Sequence, residues 1–293
     1  MRVALVLKED LGSPGMASAV HAALSAERHE VVVELTAGDD VRGALNGETE
    51  LLVVAGGDGT VRSAAVQSSG TGVPLALIPL GTANNIAASL GIDGRIADVV
   101  RDWNAARRVR VDLGVASGHW GQRRFMESAG AGLVTCGIAV MDAEAPHLEE
   151  TNRFEMLRKA ARRFGEVLAD LRPKRCLLTL DGAEQELDLL LVEVLNTRSV
   201  GPRLCLAPAS RRDDGLFDVV TAGEAQRAEL VRQLLDLECD RETRVHLPTR
   251  RAARVALAGW DALHLDDRVL ANRPGEVVSL SVEPAAVEIL APS

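Results

Sequence analysis

The 293-residue chain contains no tyrosine, and aromatic residues make up only 2% of it, too few to build the stacking platforms on which single-stranded nucleic acid is read. It also lacks an excess of basic charge. Against 33 Lys and Arg stand 42 Asp and Glu, a net charge of −9, which weighs against a general binder of nucleic acid or anionic membrane and leaves room only for local membrane contact. No apolar run approaches the ~20 residues of a spanning helix, and no charged-then-apolar leader opens the chain, so the sequence reads as cytoplasmic. The four cysteines, Cys136, Cys176, Cys205 and Cys239, lie far apart without paired spacing. That argues against a disulfide framework and a zinc site, and for reduced thiols. What remains is an ordinary globular balance, 47% hydrophobic and 26% charged, in a chain long enough for two cores.

The most informative stretch is Leu51-Leu52-Val53-Val54-Ala55-Gly56-Gly57-Asp58-Gly59-Thr60. A buried strand empties into a glycine turn carrying one acid and one hydroxyl. Glycine lets the main chain approach an anion closely, and a helix from about Thr60 to Ser68 would aim unbonded N–H groups at it, the pattern of a nucleotide-phosphate site. A bare carboxylate would repel phosphate. Asp58 therefore makes sense where a divalent metal or a hydrogen-bonded network offsets its charge, which favours phosphoryl chemistry over dinucleotide binding. Neither common glycine code fits: no Gly-Lys-Ser/Thr follows, and Arg62 stands where a dinucleotide fingerprint needs glycine. A second stretch, Pro74-Leu75-Ala76-Leu77-Ile78-Pro79-Leu80-Gly81-Thr82-Ala83-Asn84-Asn85, repeats the design of apolar strand, glycine turn and polar helix start.

Strands at Arg2–Leu7, Glu30–Leu35, Leu51–Ala55 and Pro74–Pro79 alternate with helical stretches, with Ile96–Ala106 as the last helix. This is the pattern of an N-terminal, doubly wound, three-layer α/β domain whose ligands collect at the carboxyl ends of parallel strands, where the two turns should lie side by side. From Val109 onward strands dominate, at Val109–Val115, Arg124–Ala129, Arg175–Leu180, Leu187–Leu195, Phe217–Thr221, Arg254–Ala258, Ala262–Leu265 and Val277–Val282. They predict a β-sandwich-type second domain with inserted helices. The change of pattern divides the chain into a nucleotide-binding domain, 1–108, and a β-rich substrate domain, 109–283. The clearest helix is Asn152–Leu171, with Phe154, Leu157, Ala161, Phe164, Leu168 and Leu171 at three- and four-residue steps. Its other face carries Arg158, Lys159, Arg162 and Arg163, which suits an interfacial helix on anionic lipid or a core-packing helix with a solvated basic face.

Four motifs, in order and spacing, resemble the diacylglycerol kinase catalytic-domain family of lipid kinases, which includes soluble bacterial diacylglycerol kinases and sphingosine kinases. They are Gly56-Gly57-Asp58-Gly59-Thr60, Pro79-Leu80-Gly81-Thr82-Ala83-Asn84, Val111-Asp112-Leu113-Gly114 and Asp213-Asp214-Gly215-Leu216-Phe217-Asp218. The first is shared with the related NAD kinases; the second is more specific to the lipid-kinase branch. The resemblance implies the same two-domain layout, with residues 284–293 returning to the first domain. It implies ATP and Mg²⁺ as cofactors and transfer of the γ-phosphoryl group to a hydroxyl of a diacylglycerol-like or sphingoid lipid. That acceptor would be met by peripheral contact at the inner membrane face, with no nucleic acid partner and a homodimer left open. A kinase of a soluble hydroxyl substrate, NAD-kinase-like, and a nucleotide- or lipid-binding protein with reduced catalysis are the alternatives.

Residue by residue, the resemblance implies that Gly56, Gly57, Asp58, Gly59, Thr60, Val61, Arg62 and Ser63, with Gly81, Thr82 and Asn84, bind the nucleotide. It sets Thr36 near them and Asp112 in the acidic, metal-bearing network around Asp58, itself counted as catalytic. It has Asp214 offer its carboxylate to the metal alongside main-chain oxygens of Arg211 and Leu216. The carboxylates around Gly215 suit Mg²⁺ by their hard oxygens, and equally suit a turn that opens a strand. A proton acceptor is expected from an Asp-Gly-Glu motif, here Leu265-Asp266-Asp267-Arg268 with arginine in the glutamate position. Arginine stays protonated. Asp266 is then the expected base and Asp267 the second choice, with Asp266 and Arg268 on one face of a strand and Asp267 on the other. Other departures are Asn85 in place of an aspartate and Asp10-Leu11-Gly12-Ser13-Pro14-Gly15 in place of an Asn-Pro-x-x-Gly turn. Gly130-Ala131-Gly132, with Thr135 at the last fingerprint position, is a weak dinucleotide signal better explained by close main-chain packing.

Overall fold

The computed structural model describes residues 1–8, 14–45, 47–144, 152–239, 241 and 246–293. Two compact units emerge, Met1–Leu113 with Pro284–Ser293, and Gly114–Glu283.

The first unit is built on apolar strands. β1 (Arg2–Leu7), β3 (Leu51–Gly56) and β4 (Leu75–Pro79) are buried along nearly their whole length, while β2 (Glu30–Thr36) is half-exposed. Runs such as Leu51-Leu52-Val53-Val54 need cover on both sheet faces, which parallel sheets with crossover helices supply. The strands lie in the order β2-β1-β3-β4 and pair in parallel. The intervening helices are α1 (Pro14–Ala26), α2 (Val41–Ala44), α3 (Asp58–Ser68), α4 (Asn85–Ser89) and α5 (Ile96–Asp102). Near the chain end, Ile289 pairs in parallel with Leu75 of β4. The register sets Thr36 opposite Leu7, Leu7 opposite Ala55, and Gly56 opposite Pro79. The carboxyl ends of β2, β3 and β4 therefore share one edge. The helix expected from Thr60 starts earlier, at Asp58 with Gly57 as its N-cap, and Ile96–Ala106 ends in a 3₁₀ turn over Trp103–Ala105.

The chain continues through β5 (Arg107–Gly118), β6 (Gly121–Phe125), β7 (Ser128–Gly132), α6 (Leu133–Glu144), α7 (Arg153–Asp170), β8 (Lys174–Leu180), β9 (Ala183–Leu189) and β10 (Leu191–Leu195). It goes on through β11 (Ser199–Val200), β12 (Leu204–Cys205), β13 (Phe217–Ala222), α8 (Arg227–Glu238), β14 (Thr249–Ala252), β15 (Arg254–Ala258), β16 (Ala262–Leu265), β17 (Arg268–Ala271) and β18 (Val277–Ala291). In the second unit β14-β13-β10-β7-β16-β17 form one antiparallel sheet. The segment Val277–Ser281 of β18 pairs with β15, β15 with β8 and β8 with β9, again antiparallel.

Strand alternation sorts the first of these sheets into two apolar faces. Ala129, Ala131, Val192, Val194, Phe217 and Val219 share a core with Cys176, Leu178, Val255 and Leu257 of the other sheet. Leu191, Leu195 and Val220 instead pack with Phe164, Leu168, Leu230 and Leu234 from the helices. The sandwich thus has a helical layer on one side.

Three expectations change. The run Leu187–Leu195 is two strands, β9 and β10, in different sheets with Leu190 between them, because a continuous apolar run hides a change of direction. Arg124–Ala129 is divided between β6 and β7 by Met126 and Glu127. On α7, Ala161, Phe164 and Leu168 are buried but Phe154 is 60% exposed. Part of the basic face of α7 is paired: Arg162 lies 3.4 Å from Glu238, and Arg163 lies 3.0 Å from Glu144 and 2.6 Å from Glu166. That pairing favours the packing reading of this helix over the interfacial one. Among the described residues no helix is long and apolar enough to cross a membrane, and the four cysteines are free thiols.

Candidate active site

The two glycine turns touch main chain to main chain. A Cβ at Gly57 would lie 3.0 Å from the Cα of Gly81, and one at Gly81 would lie 2.3 Å from the Cα of Gly57. Only glycine at both positions permits this approach. The Leu80 N–H donates to the Gly56 carbonyl at 2.9 Å, extending the β3–β4 ladder into the turns. Gly56 leaves room for the Thr60 side chain, whose Cβ would be 2.6 Å from any Cβ at Gly56.

Asn84 adopts a left-handed conformation, φ 52°, and spends its side chain on Gly81, accepting from the Gly81 N–H at 2.8 Å and donating to its carbonyl at 2.9 Å. It therefore does not cap α4 with its side chain. Asp58 supplies the cap from the other turn: its carboxylate accepts from the N–H groups of Asn85 at 3.1 Å and Ile86 at 2.9 Å. The charge that looked unwelcome beside phosphate is offset by a helix N-terminus. Asn85, buried, contributes its main-chain N–H to this network.

Of the remaining predicted nucleotide residues, Thr60 and Val61 are buried, so their side chains face the protein and any ligand contact falls to their main chain. Gly59, Arg62 and Ser63 are half-buried and Thr82 is exposed. Ser63 donates to the Ala37 carbonyl at 3.0 Å, tying α3 to the segment after β2. There Thr36 donates through its N–H at 2.6 Å and its hydroxyl at 2.9 Å to Asp39, and these bonds hold the Asp39 carboxyl below its ordinary value. Thr36 thus lies beside the first glycine helix. The divergent segment Asp10-Leu11-Gly12-Ser13 lies outside the described residues, except that Pro14 and Gly15 begin α1. Asp112 is buried on β5 and its carboxylate accepts from the Ala285 N–H at 2.7 Å, fastening the returning chain.

In the second unit the expectation for Asp266 needs correction. Leu265 pairs with Arg268, so Asp266 and Asp267 form the turn of the β16–β17 hairpin, and Asp266 and Arg268 do not share a strand face. Asp266 has φ 53°, a left-handed conformation that aspartate tolerates as a single residue. Its N–H donates to the Ser128 carbonyl at 2.8 Å. Its Oδ1 accepts from the main-chain N–H groups of Met126 at 3.2 Å, Glu127 at 2.7 Å and Ser128 at 3.1 Å, and its Oδ2 accepts from Met126 at 3.1 Å. Met126 and Glu127 are the break between β6 and β7, and the carboxylate satisfies the N–H groups that the break exposes. Asp266 is buried, whereas Asp267 and Arg268 are exposed.

The Asp213–Asp218 segment lies on the same sheet edge. Ser128 is opposite Leu195, Leu195 opposite Asp218, and Asp218 opposite Arg251. Asp214 accepts from the Leu216 N–H at 3.2 Å through Oδ1 and pairs with Arg251 through Oδ2, with Arg211 at 3.8 Å. Burial pushes the Asp218 carboxyl up; Ser210, Arg251 and the Arg211 N–H oppose this, while Asp214 adds to it. The donor set is all oxygen, as a hard divalent cation requires. Among the described residues no three His, Cys, Asp or Glu side chains converge on a metal-sized point, so main-chain oxygens would have to complete the shell.

One cluster was missed in the sequence. Glu193 and His264, both fully buried, meet at 3.3 Å over Gly130. The available signal was a charge inside the apolar run Leu191-Val192-Glu193-Val194-Leu195.

Residues 14–116 match the diacylglycerol kinase catalytic domain, and residues 133–291 match the YegS C-terminal NAD kinase beta sandwich-like domain. The chain belongs to the diacylglycerol kinase and YegS-like family of lipid kinases. It is 29% identical to a diacylglycerol kinase of Mycobacterium tuberculosis over 96% of this chain and 92% of that one. It is 31% identical to a diacylglycerol kinase of Bacillus subtilis over 80% of this chain and 76% of the relative. A crystal structure of a diacylglycerol kinase from Bacillus anthracis shares the fold at a TM-score of 0.72 with 18% identity, covering 99% of this chain and 96% of that one.

Proposed function

We propose that this chain is an ATP-dependent lipid kinase that transfers the γ-phosphoryl group to a hydroxyl of a diacylglycerol-like or sphingoid lipid. The observation that carries the reading is the pair of glycine turns packed Gly57 on Gly81 at the carboxyl ends of parallel strands, cross-linked by Asp58. Such turns present main-chain N–H groups to phosphate without side chains in the way, and they are pre-organised before the nucleotide arrives.

In this reading Gly57, Gly59 and Thr82 meet the phosphates, Gly81, whose N–H is held by Asn84, leaves room for the close approach, and Thr36 and Ser63 border the nucleotide. Asp58 maintains the geometry of both turns. Mg²⁺ would be held by Asp214 with main-chain oxygens of Arg211 and Leu216, and would spread the negative charge of the transferring group. Asp266 takes the acceptor's proton, its carboxylate held by the main-chain donors Met126, Glu127 and Ser128. The same donors hold the carboxylate in one orientation. An acceptor lipid implies peripheral contact with a membrane.

The test is radiolabelled ATP and Mg²⁺ with the purified protein and a total lipid extract, followed by chromatography. A labelled lipid absent from the Asp58→Ala reaction supports the proposal. A labelled soluble product would move it to a soluble hydroxyl acceptor, and no labelled product would overturn it.

A further inference from the structure

Glu193 on β10 and His264 on β16 are both paired with Gly130 of the intervening β7. Both project toward the helical layer, since their neighbours Val192, Val194, Leu263 and Leu265 point into the sandwich. The missing side chain at Gly130 is what lets them meet, because a Cβ there would lie 2.3 Å from a Glu193 oxygen. Thr135 of α6 donates to the Gly130 carbonyl at 2.9 Å, so toward His264 Nδ1, at 3.0 Å, it can only accept. That fixes a proton on Nδ1. Nε2 is then left to face Glu193 Oε2 at 3.3 Å and Ser128 Oγ at 3.3 Å. Among the described residues neither Glu193 oxygen has a hydrogen-bond partner, so the 3.3 Å ion-pair contact with His264 is what offsets the burial of this carboxyl.

We propose that Glu193 and His264 form a buried strut that positions the Asp266 turn, making them positioning residues for the proton acceptor. This rests on the reading of Asp266 given above. Three observations carry it. Asp266 lies two residues beyond His264, in the turn that follows β16. β16 is registered against β7 at two paired positions, His264 with Gly130 and Leu265 with Ala129, and a one-residue slip there would turn every β16 side chain to the other face. Ser128 is common to both systems: its N–H donates to Asp266 and its hydroxyl faces His264. Replacing a buried ion pair by apolar residues of like volume is often neutral or stabilising, and the best-attested use of such a pair is to fix register. The surrounding Leu191, Leu195 and Val220 show that this layer accepts apolar side chains.

The experiment reads main-chain hydrogen exchange at Met126, Glu127 and Ser128, the Asp266 donors, together with lipid phosphorylation, in the full-length chain. In His264→Ala these three amides should exchange about tenfold faster or more, the equivalent of a hydrogen bond lost. Amides of β1 and β3 should keep parent protection. Turnover should fall by up to ~10²-fold from misplacement of the base, at unchanged KM for ATP. In an Asp266→Asn background the same change should cost no further turnover. Glu193→Gln can still donate to Nε2 and should stay close to parent, whereas Glu193→Leu should resemble His264→Ala. If His264→Ala does not fold, His264→Gln, which cannot reach Thr135 and Glu193 together, is read at the same amides. Parent-like exchange at the three amides, or an equal loss of turnover with and without Asp266, would overturn the strut. Absence of phosphoryl transfer by the parent would refute the kinase reading while the exchange data still decided the strut.

Discussion

Gly81→Ala tests the main-chain contact between the turns. The new Cβ would lie 2.3 Å from the Gly57 Cα and 2.7 Å from Asn84 Oδ1, where 3.4–4 Å is ordinary contact. The turns must therefore part by about 1 Å, and both neighbours are held, Gly57 by main chain and Asn84 by its two bonds to Gly81. Overpacking of this kind costs ~1–3 kcal/mol. The parting also withdraws N–H donors from phosphate, and one charge-assisted bond lost, at ~1.5–3 kcal/mol, weakens nucleotide binding ~10–100-fold. At a nucleotide concentration of 100 times the parent Kd, the parent gains ~2.7 kcal/mol of stability and a variant with a 100-fold weaker Kd gains only ~0.4. Denaturant titrations with and without ATP and Mg²⁺ measure both quantities. Gly47→Ala is the control: among the described residues beyond its chain neighbours nothing lies within 4 Å of an added Cβ, so it should be neutral or gain ~0.4–1 kcal/mol through the unfolded chain. Equal stability and equal nucleotide response in Gly81→Ala and the parent would refute the packed-turn argument.

Three further outcomes follow from the geometry. Asp58→Ala should remove the cap of α4, lowering stability by ~0.5–2 kcal/mol, and should abolish turnover, whereas Asp58→Ser should recover part of the stability; denaturation and rate measurements separate the two effects. Asp214→Ala should raise the Mg²⁺ requirement more than the ATP requirement, since it removes a hard ligand and not a phosphate donor, as a metal titration of initial rates will read. The Glu276 carboxyl is lowered to about 2 by the N–H groups of Arg273 and His119. A lowered acid stabilises the fold above its unfolded value, and that stabilisation is lost as pH falls from about 4.5 through about 2. Glu276→Gln should therefore narrow the stability difference between neutral and strongly acid pH, measured by melting curves across that window.

How much of this was legible beforehand can be judged from particular elements. The parallel sheet could be read from β1, β3 and β4 because uninterrupted apolar strands followed by glycine turns are a local pattern with one stable burial solution. The paired turns were visible for the same reason. The β16–β17 hairpin was not, because Leu265-Asp266-Asp267-Arg268 carries no glycine or asparagine to mark a turn. Its left-handed residue is an aspartate held by donors from about 140 positions earlier in the chain. The break at Met126-Glu127 and the sheet change at Leu190 were likewise hidden inside runs of strand-forming residues.

By itself the sequence determined which strands are buried, where main chain must approach main chain, and the family motifs with their order, since each depends on residues near one another in the chain. Tertiary structure alone decided what offsets the charge of Asp58, which way Asp266 faces, and that Glu193 meets His264 over Gly130. Those are pairings between distant segments, and their energy depends on distance, burial and donor direction, none of which exists until the chain has folded.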